Sequence, residues 1–450
     1  WSPEDVRYST IRYITTEIQN AQGPHIHTPR TGEILESDIL WYHNVMNLLR
    51  NWYMMQTAAV NPDAQALQFD TEVMGELIRF VAAHEVGHTL GLPHNMGSST
   101  AYPVDSLRAP GFVQRMGVAP SIMDYARFNY VAQPGDEGAG LHPRIGPYDD
   151  WSIIYGYRPI PEASTPDEER PILNSWVKER AGNPLYRYGA QRGNPHDPTA
   201  QTEDVGSDAM EASDMGLANL KRILPNLIEW SSVEGLPFDD LEELYGQVYS
   251  QLGRYARHVA TNVGGVYEYR KTADEDGAVF TPVEREKQAR AVAWLNRNVF
   301  TTPAWLLDED ILSRISPDGA VDRIHSLQTS ALNRLMETDR LKRLLEAEAR
   351  AGGHYTITDL FNETRQGIFS DLNGRVPSDL YRRNLQRSYV DKLIELMKEE
   401  DDDVQETEIP AIARMALNEL QGQLEGGRDA RVRAHYADLK ARIDAAMDED

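Results

Sequence analysis

Five residues at fixed offsets carry the strongest chemical signal in the chain. The stretch Val81–Asn95 reads VAAHEVGHTLGLPHN, setting His84-Glu85-x-x-His88 ahead of Gly91 and His94. On a helix, residues four apart share a face, so His84 and His88 can converge on one metal ion. Glu85 stands beside the first ligand and can reach a metal-bound water, the place of a general base. Gly91 can leave the helix at positive φ, turning the backbone so that His94 returns to the same ion. Three neutral imidazoles suit Zn²⁺ at roughly 2.0–2.1 Å and leave a fourth position open for water. An ordinary amphipathic helix rarely meets all five requirements by chance. The spacing points to a zinc centre.

A second signal lies downstream at Ser121-Ile122-Met123-Asp124-Tyr125. A long zinc motif followed by a Met-turn is the signature of metzincin zinc proteases, and the chain resembles them. It is most similar to large bacterial zinc-dependent proteases of the met-zincin kind. In these, segments such as PRTGEI, HEVGHTLGLPHN, SIMDYARFNYVAQPGD and YDDWSIIYGY follow in the same order. The resemblance implies that Met123 packs beneath the three histidines as an apolar floor without coordinating the metal. For Tyr125 it implies either a fifth ligand or a donor to the transition-state oxyanion. It also implies that Gly146–Tyr157 closes the catalytic domain as a helix. Capping chemistry agrees with this, since Asp149 or Asp150 suits an N-terminal turn and Gly156 a C-terminal cap.

The activity so implied is that of a zinc-dependent metalloendopeptidase acting on a protein or peptide. One catalytic zinc ion would hold a water that Glu85 deprotonates. Two other readings stay open: a zinc hydrolase of a non-peptide amide linkage, and a zinc-retaining binding or scaffold protein without turnover. The presence of Glu85 and of all three histidines argues against the second.

The elements that must position these residues give an α+β fold class. The expected architecture is a metzincin-like catalytic domain over 1–160, an irregular connector over 161–213 and a mainly helical domain over 214–450. Alternation predicts a strand over Val6–Thr15. A second extended segment, Gln22–Thr28, is the candidate edge strand for an extended substrate. Pro29-Arg30-Thr31-Gly32 turns the chain into a third, Glu33–Trp41. The family's first strands and first helix have no counterpart before Trp1, so the chain reads as part of a longer polypeptide. The connector is rich in Pro, Gly, Asn, Asp and Glu, and His196-Asp197 within it reads as a surface turn.

Leu217, Leu220, Leu224 and Leu227 then mark a helix face, and Leu241–Val259 an amphipathic helix. A hairpin is expected over Val263–Val283, and helices over 284–299, 321–350, 378–399, 409–424 and 429–447. Gly426-Gly427 separates the last two.

Composition limits the partners. A net charge of −25 would repel phosphates, which argues against nucleic acid. No apolar run is long enough to form a transmembrane segment, and no secretory signal peptide is visible. The 12 histidines are accompanied by no cysteine, which excludes disulfides, thiolate zinc ligands and a cysteine nucleophile. A zinc protease is hazardous inside cells, so the expected location is periplasmic, in the cell envelope or secreted.

Overall fold

The first forty residues form short strands, because two residue types interrupt the alternation. In the computed structural model, which describes residues 2–372, 377–426 and 429–448, five strands precede the first helix. They are β1 (Ile11–Ile14), β2 (Ala21–Gln22), β3 (His25–His27), β4 (Ile34–Ser37) and β5 (Ile39–Tyr42). One sheet has the order β1-β5-β2, with β1 parallel to β5 (Ile11 opposite Ile39) and β2 antiparallel to it. A separate antiparallel ladder joins β3 and β4.

The expected strand Val6–Thr15 is therefore shortened to β1. Gln22–Thr28 breaks at Gly23-Pro24, where proline has no N–H for a ladder. Glu33–Trp41 breaks at Asp38, whose carboxylate accepts from Thr10 N at 2.8 Å and pairs with Arg12 at 2.6 Å. That pull carries the chain from one sheet into the other. β2 and β3 each have a single strand partner, so both pieces of Gln22–Thr28 lie at sheet edges. The turn before β4 closes with Gly32 at φ 73° and Thr28 N on Glu33 O at 3.0 Å.

Two compact units divide the chain, Trp1–Pro195 with Thr199–Val248 and His196–Pro198 with Tyr249–Asp450. In the first, helix α1 (Val45–Thr57) buries Leu49, Trp52, Tyr53, Met54 and Met55, and α2 (Thr71–Thr89) carries the zinc motif. Short helices α3 (Val104–Arg108) and α4 (Phe112–Met116) follow, then α5 (Pro147–Tyr157), the expected closing helix. Gly156 is not its cap: the helix continues through Tyr157, and the capping position is Arg158 in extended conformation.

Within 161–213, read from the sequence as an irregular connector, the chain forms a helix, α6 (Pro166–Lys178). The Thr165 side chain accepts from Glu168 N, Pro166 occupies the first turn, and Asp167, Glu168 and Glu169 complement the helix dipole there. Proline and acid density in this stretch marks a helix start rather than a loop. Helix α7 (Ala209–Ile223) begins before residue 214, the expected start of the helical domain, because the Asp208 side chain caps Met210 N and Glu211 N. α8 (Leu227–Ser231) and α9 (Asp239–Ala260) follow, and the division between the units falls within α9.

The second unit is helical apart from one hairpin, β6 (Val266–Glu268) with β7 (Phe280–Pro282). Asp197 belongs to it and corrects the surface-turn reading. It is only 5% exposed, and its carboxylate accepts Glu268 N at 3.0 Å while His196 O accepts Val266 N at 2.8 Å. The pair extends the hairpin. Helices α10 (Arg285–Leu295), α11 (Glu309–Ile315), α12 (Ala320–Leu335), α13 (Thr338–Arg350), α14 (Ile357–Ile368), α15 (Leu380–Met397), α16 (Asp402–Gln405), α17 (Ile409–Gln423) and α18 (Ala430–Asp448) complete the unit.

The expected run 321–350 is thus two helices, α12 and α13, with Glu337 in extended conformation at the start of the second. α15 packs against α12, α14, α17 and α18 through Leu385, Tyr389, Val390, Leu393 and Leu396. Gly427, half of the expected break before α18, lies outside the described residues. Among the described residues, no helix is long and apolar enough to cross a membrane.

Candidate active site

Helix α2 ends in a way that brings the third histidine back. Gly91 adopts φ 84°, Leu92 N donates to Gly87 O at 3.0 Å, and Gly91 N donates to His88 O at 2.9 Å. This left-handed exit satisfies the last carbonyls of the helix and reverses the chain. His94 Nε2 then stands 3.1 Å from His84 Nε2 and 2.9 Å from His88 Nε2. Among the described residues these three form the one group of metal-ligating side chains that converge.

Each imidazole is held from behind by an oxygen. His84 Nδ1 donates to Ile122 O at 2.8 Å, His88 Nδ1 to Leu92 O at 2.9 Å, and His94 Nδ1 to Gln191 Oε1 at 2.7 Å. A neutral imidazole has one donor and one acceptor nitrogen, so all three Nε2 lone pairs face inward. Three inward lone pairs repel one another unless a cation lies between them. Two nitrogens on a tetrahedral zinc, each bonded at about 2.05 Å, stand roughly 3.3 Å apart. The observed separations are close to that figure, and nitrogen donors suit zinc. The residues fit the metal.

Burial keeps the three imidazoles neutral. Burial lowers the His84 pKa to about 3 and that of His94 to about 4, and it lowers that of His88 as well. All three are therefore unprotonated at neutral pH. Glu85 is 6% exposed, and burial raises its carboxyl to about 7, opposed by the Arg127 charge and by a hydrogen bond from Gly23 N. A carboxyl poised near neutrality can both take and return a proton.

The turn Ser121–Tyr125 packs against the helix that carries the histidines. Met123 is 1% exposed, and its sulfur packs so closely against Gly87 that a Cβ there would overlap it. A side chain at Gly87 would therefore displace the Met123 thioether from its place against α2. Asp149 of α5 ties the turn in place, accepting from Ser121 Oγ at 2.6 Å, Ile122 N at 2.7 Å and Gly146 N at 2.8 Å. Because Ile122 O in turn holds His84, the acid at the start of α5 is linked to the first histidine through one residue. Tyr125 is brought to the same place, its ring centroid 4.4 Å from that of His94 and 5.2 Å from that of His84.

A family model described as Met-zincin matches residues 66–375, about two thirds of the chain. The chain belongs to that family. Membership places this Met-zincin protein among zinc metallopeptidases, with an α+β catalytic core and a helical C-terminal region. No curated protein and no solved structure matches the chain.

Several residues of the Met-zincin site escape sequence reasoning. Arg127 and Glu203 are the two non-glycine residues at positive φ among those described, at 63° and 65°, and they face each other at 3.7 Å. Strained backbone of this kind costs on the order of 1–3 kcal/mol and persists only where surroundings fix it. The Arg127 guanidinium lies 3.7 Å from the Trp52 ring centroid and 4.2 Å from that of Tyr125, so it braces the phenol ring from behind. Gly23 meets the backbone of Glu85 too closely to carry a Cβ. Neither requirement leaves a local pattern, since the partners are far apart in sequence. Beside the ligand loop a cleft of about 820 Å³ is lined by His25, His27, Leu92, Tyr148, Trp151 and Tyr188 among others.

Proposed function

We propose that this chain is a zinc-dependent endopeptidase in which His84, His88 and His94 hold one zinc ion and Glu85 is the general base. The observation that carries the reading is the convergence of three oxygen-backed imidazoles beside a buried carboxyl near neutrality. When bound, zinc supplies Lewis acidity toward a scissile carbonyl and lowers the pKa of water. Glu85 takes a proton from the attacking water and returns it to the departing amine nitrogen. Arg127 and the Gly23 N–H favour the carboxylate form of Glu85 in advance of that step.

Tyr125 remains a protonated phenol at neutral pH, since burial raises its pKa further. Its ring lies against His84 and His94, which supports a role as donor to the oxyanion that develops on the carbonyl oxygen. The aromatic cleft and the edge strands β2 and β3 offer an extended chain both side-chain and main-chain contacts. A location in the periplasm, envelope or outside the cell accords with such an activity.

The test is zinc content measured together with cleavage of an unfolded protein, for the parent and for His88→Ala. Zinc at one equivalent and chelator-sensitive cleavage are expected for the parent, with both lost in the variant. Equal zinc in parent and variant would remove the triad from the reading.

A further inference from the structure

The three histidines are not secured alike. His84 and His88 lie on α2 and donate to main-chain carbonyls, which any residue would supply. His94 lies beyond the helix, on an irregular loop, and its acceptor is the side chain of Gln191, nearly a hundred residues away in sequence. The stretch around Gln191 is sewn to that loop. Buried Asn95 accepts Gly189 N at 2.9 Å and donates to Arg187 O at 2.9 Å, while Met96 N donates to Gly189 O at 2.8 Å. Gly97 and Gly189 pass so closely that a Cβ on Gly97 would lie 2.7 Å from Gly189 N. The backbone carrying Gln191 is therefore fixed independently of the Gln191 side chain.

We infer that Gln191 is a positioning residue of the metal centre, setting the tautomer and ring orientation of His94. The inference rests on the zinc-triad reading above. A carboxamide oxygen accepts the Nδ1 proton and leaves the Nε2 lone pair for the metal. The reversed amide would put the proton on Nε2, aimed at His84 and His88 at 3.1 and 2.9 Å, and no metal could enter. Gln191 is an exposed side chain, so its replacement empties no buried core space.

Zinc affinity of the full chain, measured by competition with a chromogenic chelator, tests this without any assay of activity. Gln191→Leu should weaken zinc binding by about 10–100-fold, as loss of an outer-sphere partner typically does. Gln191→Glu keeps an oxygen acceptor at the same reach and should return affinity to within a few-fold of the parent. Thermal melting of the metal-free variants should match the parent. A Leu variant that binds zinc as tightly as the parent overturns the inference, as does a Glu variant no better than Leu. A parent that binds no zinc overturns the triad itself, and that result is read before any Gln191 variant.

Discussion

Both units bury polar side chains, yet they use them differently. In the second unit, buried Arg340 donates to Arg334 O, Thr261 O and Val263 O, buried Arg382 to Gly367 O and Ile368 O, and buried Gln328 to Val299 O. Each seals main-chain carbonyls where the backbone leaves a helix, which is structural work. Around the three histidines of the first unit, polar groups, buried and exposed, instead engage one another about a point. Asp149 holds the Met-turn, the Met-turn carbonyl holds His84, Gln191 holds His94, and Glu85 stands alongside. Burial of polar groups by itself therefore marks no function. Convergence of three imidazole Nε2 atoms on one space is the feature that suits a cation.

The comparison predicts that changes in the first unit remove chemistry while changes in the second remove stability. The largest effect should come from Glu85→Gln. Zinc content stays at the parent level, since Glu85 is not a ligand, while kcat falls by about 10³–10⁴ with the loss of the base. A preparation free of contaminating protease that keeps parental kcat would end the assignment.

Next is Tyr125→Phe, which keeps the ring against His84 and His94. Loss of one oxyanion donor costs about 10²–10³ in turnover, with folding and zinc unchanged. Parental kcat would instead assign Tyr125 to packing alone.

In the second unit, Leu393 is fully buried within α15, and Leu393→Ala should cost about 2–5 kcal/mol of stability through the cavity it leaves. Calorimetry should show the lowered Tm, and zinc affinity at room temperature should match the parent. A parallel loss of zinc affinity would break the division of labour drawn above.

The smallest effect concerns pH in the metal-free protein. The folded-state pKa values of His84 and His94 are depressed, so their contribution to stability is present above about 6.5 and is lost as pH falls toward their folded values. Buried Asp124 works in the opposite sense. Burial raises its folded pKa to about 7, so its contribution is full below about 3.9 and is lost as pH rises through 7. Between these limits the two slopes offset each other. Asp124→Asn retains an oxygen for Ser98 Oγ and Ser99 N but no longer titrates. Urea unfolding of the metal-free variant should therefore show stability rising more steeply with pH, between about 4 and 6.5, than in the parent. An unchanged slope would mean that Asp124 ionises normally in the folded chain.

The sequence by itself determined everything in this protein that depends on short-range periodicity. His84 and His88 share a face because a helix repeats every 3.6 residues, and Gly91 reverses the chain because glycine accepts positive φ. Most helices of the second unit are legible for the same reason, since their apolar faces recur at helical spacing. Local chemistry could be misread where a signal has two uses: the Pro and acid residues of α6 open a helix, and Gly156 continues one. Tertiary structure alone decided the rest. Asp38 ends one strand by holding Thr10 and Arg12; Asp197 extends a hairpin seventy residues on; Gln191 accepts from His94 out of a stretch with no motif of its own. These roles rest on hydrogen bonds and ion pairs between residues far apart in the chain. A hydrogen bond requires only a donor and an acceptor within about 3 Å, whatever their separation in sequence, so it imposes no period that could be read before the chain is folded.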